Sequence, residues 1–300
     1  MSHAPSAGRQ LEMLVQSAAN LDVNKQHYDH SYGDVDIAAL VSKVQHVDRF
    51  LDDATITDAT WVALYHGDFR SRLRGADVLE LGAGNGLNAL VMAALGARVT
   101  AVDISEVTPH IITDAAARLG LAANITALAG DFAEMTFPRD SFDFVVGKAF
   151  LHHLTHEVED RYLRNSAAVL RATGEARFTE PAVNSRMLDA IRWMVPVPGR
   201  PSRLSARAWA RYKAEDPHPE RDNSSRHYRD AGLRYFEHAE TIPLGGLHRL
   251  YRLLPNGDFN RSFRRAAFRA ERLLPQPVRS KIAEGQVVIL RHPRRRGAVA

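Results

Sequence analysis

The sequence predicts an α/β fold in which a mainly parallel sheet carries helices on both faces. Three observations predict it. Apolar runs of strand length alternate with stretches of helical periodicity from about residue 74 onward. The first run, Val78-Leu79-Glu80-Leu81, passes through a glycine-spaced turn, Gly82-Ala83-Gly84-Asn85-Gly86, into a helix over Leu87–Leu95. The next run, Arg98-Val99-Thr100-Ala101-Val102, ends on Asp103 and completes one βαβ unit with an acid at its tip. Such units bind ligands outside the carboxyl ends of their strands.

The remaining elements follow in order. Residues from about 10 to 73 read as helices, because Leu11, Met13, Leu14 and Val15, and then Ile37, Leu40, Val41, Val44, Val47, Phe50 and Leu51, recur at a spacing near 3.6. Met1–Arg9 is expected to be an unstructured lead-in without the apolar core of a secretory signal. His27–Gly33 reads as a polar aromatic loop, either a lid in which Tyr28 or Tyr32 donates a hydrogen bond or a plain surface turn. Ile125–Phe132 and Ser141–Phe150 read as the third and fourth strands. Glu159–Ala172 reads as an amphipathic helix, with Tyr162, Leu163, Ala167 and Leu170 on one side and Gly174 as its stop. Glu175–Glu180 is the fifth strand, closed by Pro181. Met187–Val195 reads as a helix, Pro196–Pro201 as a break, and Arg207–Arg229 as an irregular charged stretch. Leu233–Thr241 is the sixth strand, Leu247–Ala283 is helical, and Gln286–Leu290 is the last strand.

The chemistry of the glycine turn narrows its ligand. The spacing is G-x-G-x-G with Leu87 where a dinucleotide fingerprint wants Gly or Ala. Glu80 stands two residues before the first glycine. A pyrophosphate wants bare backbone N–H groups and no neighbouring carboxylate. A carboxylate there suits a ligand with a cationic ammonium, and S-adenosylmethionine is one: a nucleoside joined to a zwitterionic amino acid, without phosphate. A dinucleotide and a ligand-free turn are the alternatives.

Four motifs in order, VLELGAGNG from Val78, VTAVDIS from Val99, AGDFAEM from Ala129 and SFDFVVGKAFLHHL from Ser141, resemble the class I S-adenosylmethionine-dependent methyltransferases, specifically their small-molecule branch. The resemblance runs from about Arg74 to Pro181. It implies a Rossmann-like sheet of order 3-2-1-4-5-7-6 with the last strand antiparallel. It also implies an N-terminal helical lid over 1–73, a methyltransferase domain over 74–300, and helical substrate-cap insertions at about 183–230 and 247–284. Glu80 would hold the methionine ammonium of S-adenosylmethionine, and Gly82, Gly84 and Gly86 would let backbone pass beneath it. Asp103 would take the ribose hydroxyls and Ile104 would pack on adenine. Asp131 would accept from the adenine amino group with Phe132 beside the ring. Gly147 and Lys148 would lie near the sulfonium.

For the transfer itself, His152 and His153 follow the fourth strand and are candidate bases, since imidazole titrates near neutrality. Glu180, at the end of the fifth strand, is the second candidate. Trp193, Trp209 and Tyr212 could line an apolar acceptor pocket, and Arg186, Arg192 or Arg200 could hold an acceptor carboxylate. No metal is expected: there is no cysteine, and His3, His27, His30, His46 and His66 lack ligand spacing with acids.

Composition fits a cytoplasmic enzyme, with 45% hydrophobic and 25% charged residues in 300 and no apolar run of membrane length. The last hundred residues hold about twenty Arg and Lys against about ten Asp and Glu. The basic residues are scattered on amphipathic segments, without aromatics interleaved as stacking platforms, so nucleic acid is not the expected partner. The expected reaction is methyl transfer to O, N or C of a small molecule or natural-product intermediate, which could be anionic, with S-adenosylhomocysteine as product. The alternatives are a methyltransferase for a peptide, a carrier-bound chain or RNA, and a non-catalytic S-adenosylmethionine-binding protein. A homodimer is compatible with the sequence.

Overall fold

The computed structural model describes residues 7–216 and 218–295. Five helices precede the sheet: α1 (Ala7–Tyr32), α2 (Ile37–Gln45), α3 (Val47–Thr57), α4 (Ala59–Leu64) and α5 (Phe69–Arg72). Then come β1 (Asp77–Leu81), α6 (Leu87–Ala94), β2 (Arg98–Asp103), α7 (Val107–Leu119), β3 (Ile125–Ala129), β4 (Phe142–Lys148), α8 (His156–Val169) and β5 (Leu170–Pro181). The chain closes with α9 (Arg186–Met194), α10 (Ala206–Glu215), α11 (Ser225–Gly232), β6 (Phe236–Leu244), α12 (Asp258–Glu271), α13 (Gln276–Ile282) and β7 (Gly285–Pro293).

The strands form one seven-stranded sheet in the order β3-β2-β1-β4-β5-β7-β6, the order the resemblance implies. Its neighbours from β3 to β5 are parallel, and β7 runs antiparallel to both β5 and β6. Strand alternation divides the core between the two faces. Val78, Phe144 and Val146 face one cluster with Leu51, Leu64, Phe69, Leu90 and Ile112. Leu79, Leu81 and Val145 face the other, with Leu163, Phe178, Tyr228 and Leu290. The register puts Glu80 on the Val78 side, under α6.

Several boundaries differ from the sequence reading. His27–Tyr32 is not a loop but the last part of α1. Nothing breaks the helix before Gly33, and Tyr28 and Tyr32, one turn apart, stack on one face at 5.3 Å. The same helix starts at Ala7, inside the expected lead-in, where strong helix formers such as Ala7, Arg9 and Gln10 begin. Residues 1–6, with His3, lie outside the described residues. α8 begins at His156, capped by the Thr155 side chain, and ends three residues before the expected Ala172. Leu170 turns extended there and pairs with Phe142. The stretch Arg207–Arg229 contains two helices, and β6 lies three residues later than expected. Pro243 is tolerated in β6 because this is an edge strand, where a missing donor costs nothing on the open side.

A buried ion cluster ties the helical N-terminal part to the sheet. Glu175 on β5 is 1% exposed and accepts from Arg72 (3.0 Å), Arg177 (2.9 Å) and Arg291 (2.8 Å). Arg177 also donates to the carbonyls of Leu64 and His66, pinning the end of α4, and lies over the Phe69 ring. Removing one partner of a buried pair leaves the other charge uncompensated. Glu175→Gln is therefore expected to lower unfolding free energy by about 3–5 kcal/mol in urea titrations, whereas Asp114→Asn, in an exposed pair with Arg118, should change it by less than about 1 kcal/mol.

Candidate functional site

The carboxyl ends of β1, β2 and β4 open on a cavity of about 280 Å³, closed on its other side by α1. Glu80 is 1% exposed on its wall. Its Oε1 accepts from Asn88 of α6 at 2.7 Å, while its Oε2 is buried with no hydrogen-bond partner among the described residues. Burial pushes the carboxyl pKa up to about 8, against the Asn88 bond and the Lys148 charge, with Asp103 adding to the rise.

The glycine turn is shaped by close approach. Gly82 has φ 66°, and a Cβ there would stand 2.2 Å from the Phe150 ring. Gly86, at φ 76°, caps α6, and a Cβ there would strike Ile112 at 2.3 Å. Gly86 thus serves helix packing and is not on the cavity wall, whereas Gly82 and Gly84 are. The amide of Gly84 donates to Asp103 Oδ2 at 2.7 Å, and Ser105 N donates to Oδ1 at 2.9 Å. Asp103 is thereby fixed on the wall beside Ile104, its pKa raised by burial despite those bonds.

Phe132 lines the cavity at 1% exposure, packed edge-on to Tyr162. Asp131 does not line it. Its carboxylate is engaged by the Tyr162 hydroxyl (2.7 Å) and the Ala133 amide (2.8 Å), so it orients the wall through Tyr162. Gly147 is also off the wall, and a Cβ there would meet Phe178 at 2.8 Å. Lys148 lines the cavity with its ammonium over the Trp61 ring. From α1, Tyr28 and Tyr32 cover the turn. Burial pushes the Tyr28 hydroxyl up to about 12, with the Asp103 charge second, so it stays a neutral donor. Asp29 anchors this helix by accepting from Ser105 Oγ (2.6 Å) and the Glu106 amide (3.1 Å).

The histidine pair splits between two cavities. His153 lines the first. His152 lines a second, which shares Ala149 with the first. Glu180 accepts from the amides of Phe150, Leu151 and His152 and from His152 Nδ1 at 2.7 Å. It therefore fixes the turn that carries both histidines.

A third cavity adjoins the second through Arg192, Tyr251 and Arg252. Trp193 and Tyr212 line it, and the wall is not apolar, because Arg192, Arg200 and Arg252 stand among the rings. Arg200 lies over Trp193 and donates to two carbonyls, yet its Nε and Nη1 are buried without a partner among the described residues. Trp209 packs behind, edge-on to Trp193, and Arg186 is exposed.

Sequence spacing did not single out Asn88, Phe150 or Tyr162 as site residues: Asn88 and Tyr162 reach the cavity from helices outside the four motifs, and Phe150, within the last motif, from the turn after β4. It also did not bring together two groups able to hold a metal, His152–His153–His218 and His156–Glu159–His227, each completed by a histidine distant in sequence from the other two members. Among the described residues no helix is long and apolar enough to cross a membrane.

Part of the chain is similar to known proteins. A family model described as a methyltransferase domain matches residues 78–174. Cypemycin N-terminal methyltransferase from Streptomyces sp is 36% identical over 114 residues, 37% of this chain and 44% of that protein. Ribosomal protein arginine N-methyltransferase rmt3 from Schizosaccharomyces pombe is 28% identical over 176 residues, 55% of this chain and 30% of that protein. The chain thus spans less than half the length of these curated relatives. Haemonchus contortus phospholethanolamine N-methyltransferase 2, in complex with phosphomonomethylethanolamine and S-adenosylhomocysteine, superposes with a TM-score of 0.50 at 13% identity, covering 87% of this chain and 61% of that one. At that identity the likeness is one of fold.

The turn geometry gives a direct test. Gly82→Ala is expected to cost about 2–4 kcal/mol, from positive φ plus overpacking against Phe150. Gly75→Ala, at φ 74° with nothing within 4 Å of its Cβ, should cost only about 1–2 kcal/mol. Equal losses in urea unfolding would show that Phe150 yields freely.

Proposed function

We propose that the chain, whose residues 78–174 match a methyltransferase domain model, is a class I S-adenosylmethionine-dependent methyltransferase that transfers the methyl group of S-adenosylmethionine to an oxygen, nitrogen or carbon of a small anionic acceptor, leaving S-adenosylhomocysteine. The observation that carries this reading is the buried, unpartnered Oε2 of Glu80 on the cavity wall. An ammonium there supplies both the missing hydrogen bond and a countercharge. A pyrophosphate would meet a buried acid of the wrong sign. Asp103 keeps lone pairs for ribose hydroxyls, Ile104 and Phe132 offer apolar surface to adenine, and Gly82 and Gly84 let backbone approach.

S-adenosylmethionine supplies a methyl group already activated on a sulfonium. The chain's part is alignment and exclusion of water. Residues 1–73 act as the lid, through Tyr28 and Tyr32, and the helices within 183–230 and 247–284 act as the acceptor cap. An acceptor in the second cavity meets the cofactor at Ala149, which belongs to both walls. Arg192, Arg200 and Arg252 would bind its anionic end, with Trp193, Tyr212 and Tyr251 beside it. His153 and His152 stand on either side of the junction, where each can hydrogen-bond the acceptor, and Glu180 positions them.

A second reading, methyl transfer to a peptide amine, is favoured by the 36% identity to cypemycin N-terminal methyltransferase. Incubating the chain with methyl-labelled S-adenosylmethionine and source-cell extract separates the two. Label is expected in the anionic metabolite fraction and reduced at least about tenfold in Arg200→Ala, a loss typical of removing a charge-assisted contact. Label in peptide, protein or RNA would overturn the small-molecule reading.

Glu80 also sets a pH dependence. The cofactor's ammonium requires the ionised carboxylate, whose pKa without ligand is about 8. Lys148, Asp103 and the Asn88–Tyr65 pair are the groups that face it. Below pH 8 the protonated form dominates and must release a proton, so S-adenosylhomocysteine affinity should rise with pH by up to about tenfold per unit, then level off. Calorimetry on Glu80→Gln should show weaker and pH-independent binding over that range.

A further inference from the structure

Between the cofactor cavity and the acceptor cavity the chain gathers three imidazoles. His152 and His153 come from the turn after β4, and His218 comes from the connection between α10 and α11. One ligand nitrogen from each lies within 4.8 Å of the other two. The ring centroids are 4.2 Å apart for His152–His153, 4.2 Å for His153–His218 and 5.0 Å for His152–His218. Two of the three already hold the partner that metal-binding histidines usually have. His152 donates Nδ1–H to Glu180 at 2.7 Å, and His218 donates Nδ1–H to Asp216 at 2.5 Å. A carboxylate on one ring nitrogen fixes the tautomer and leaves the Nε2 lone pair for a cation. The third, His153, is approached at its ring edge by the Tyr28 hydroxyl, 3.3 Å from both nitrogens.

We propose that His152, His153 and His218 form a three-histidine site for a divalent cation of the zinc class, on the partition between the two cavities. Three nitrogen donors with no acid among the ligands suit Zn²⁺ and its first-row neighbours and do not suit Mg²⁺ or Ca²⁺, which prefer oxygen. Tetrahedral Zn–N bonds of about 2.0–2.1 Å put ligand nitrogens about 3.3 Å apart, so small side-chain rotations close the present spacing. Three protein ligands leave a fourth position open. His153 lines the cofactor cavity and His152 the acceptor cavity, so a ligand at that position would be an acceptor atom brought beside the methyl donor.

The second group, His156–Glu159–His227, differs in kind. The Arg221 guanidinium already pairs with Glu159 and lies 3.1 Å from His227 Nε2, so a cation of the chain's own occupies that place. It serves as the internal control.

The existence of the site does not depend on the methyltransferase reading; its use in holding an acceptor does. The test is titration of the chelator-stripped full chain with Zn²⁺ by competition, and with Co²⁺ by visible absorption, alongside S-adenosylhomocysteine calorimetry. One equivalent is expected to bind, with the intense visible bands of four-coordinate Co²⁺. His218→Ala should weaken it at least about 100-fold and Asp216→Asn about 10–100-fold, while His227→Ala leaves it unchanged. Both His218 and Asp216 lie off the cofactor cavity, so retained S-adenosylhomocysteine binding shows that these variants fold. Absence of stoichiometric binding, or binding indifferent to His218, overturns the site. Metal binding without S-adenosylhomocysteine binding would instead keep the site and overturn the methyltransferase reading.

Discussion

A carboxylate buried at the end of β1, with one oxygen unpartnered among the described residues, is the constraint around which this molecule is arranged. Burying a charge without a full set of partners is costly, and Glu80 meets that cost only in part through Asn88. The protein without ligand answers by holding the proton, with the pKa near 8. Everything nearby is consistent with a cation arriving from the cavity. The glycine turn removes side chains where the ligand's backbone-like portion would pass, and Asp103 is clamped by Gly84 and Ser105 at the next strand tip.

The rest of the fold holds that corner in place. Alternation along β1 and β4 sends successive side chains to two separate cores, so the sheet is held from both faces. The Glu175 cluster locks the helical N-terminal part against β5. α1 then reaches over the strand ends, with Asp29 tied to Ser105 and the Tyr28–Tyr32 stack above the turn. On the far side, Glu180 gathers three amides and His152, and so sets the wall between the first and second cavities.

The sheet and the cofactor corner were legible in the sequence because they are local. Strand, turn and acid follow one another over Val78–Asp103, and strand alternation is read directly from residue type. What the sequence concealed was assembled over distance. Asn88 meets Glu80 across the turn, Tyr162 takes Asp131 away from the cavity, and His218 reaches the His152–His153 pair from a different connection. Spacing rules for metal ligands examine neighbours along the chain, so the adjacent pair is visible but the third histidine that completes the cluster is not. Helix boundaries failed for a different reason. The polar aromatic stretch His27–Tyr32 lacks the apolar stripe of a core helix because its tyrosines face the first cavity and not the core. The third cavity misled through composition: Trp193 and Tyr212 suggested an apolar pocket, but the arginines interleaved with them share the same wall.

The most direct test of the central claim is a crystal structure of the chain with S-adenosylhomocysteine. The account predicts the amino-acid ammonium within hydrogen-bond distance of Glu80 Oε2 and the ribose hydroxyls on Asp103, under Tyr28 and Tyr32. A complex in which Glu80 Oε2 is still unpartnered, with the ammonium bound elsewhere, would contradict it.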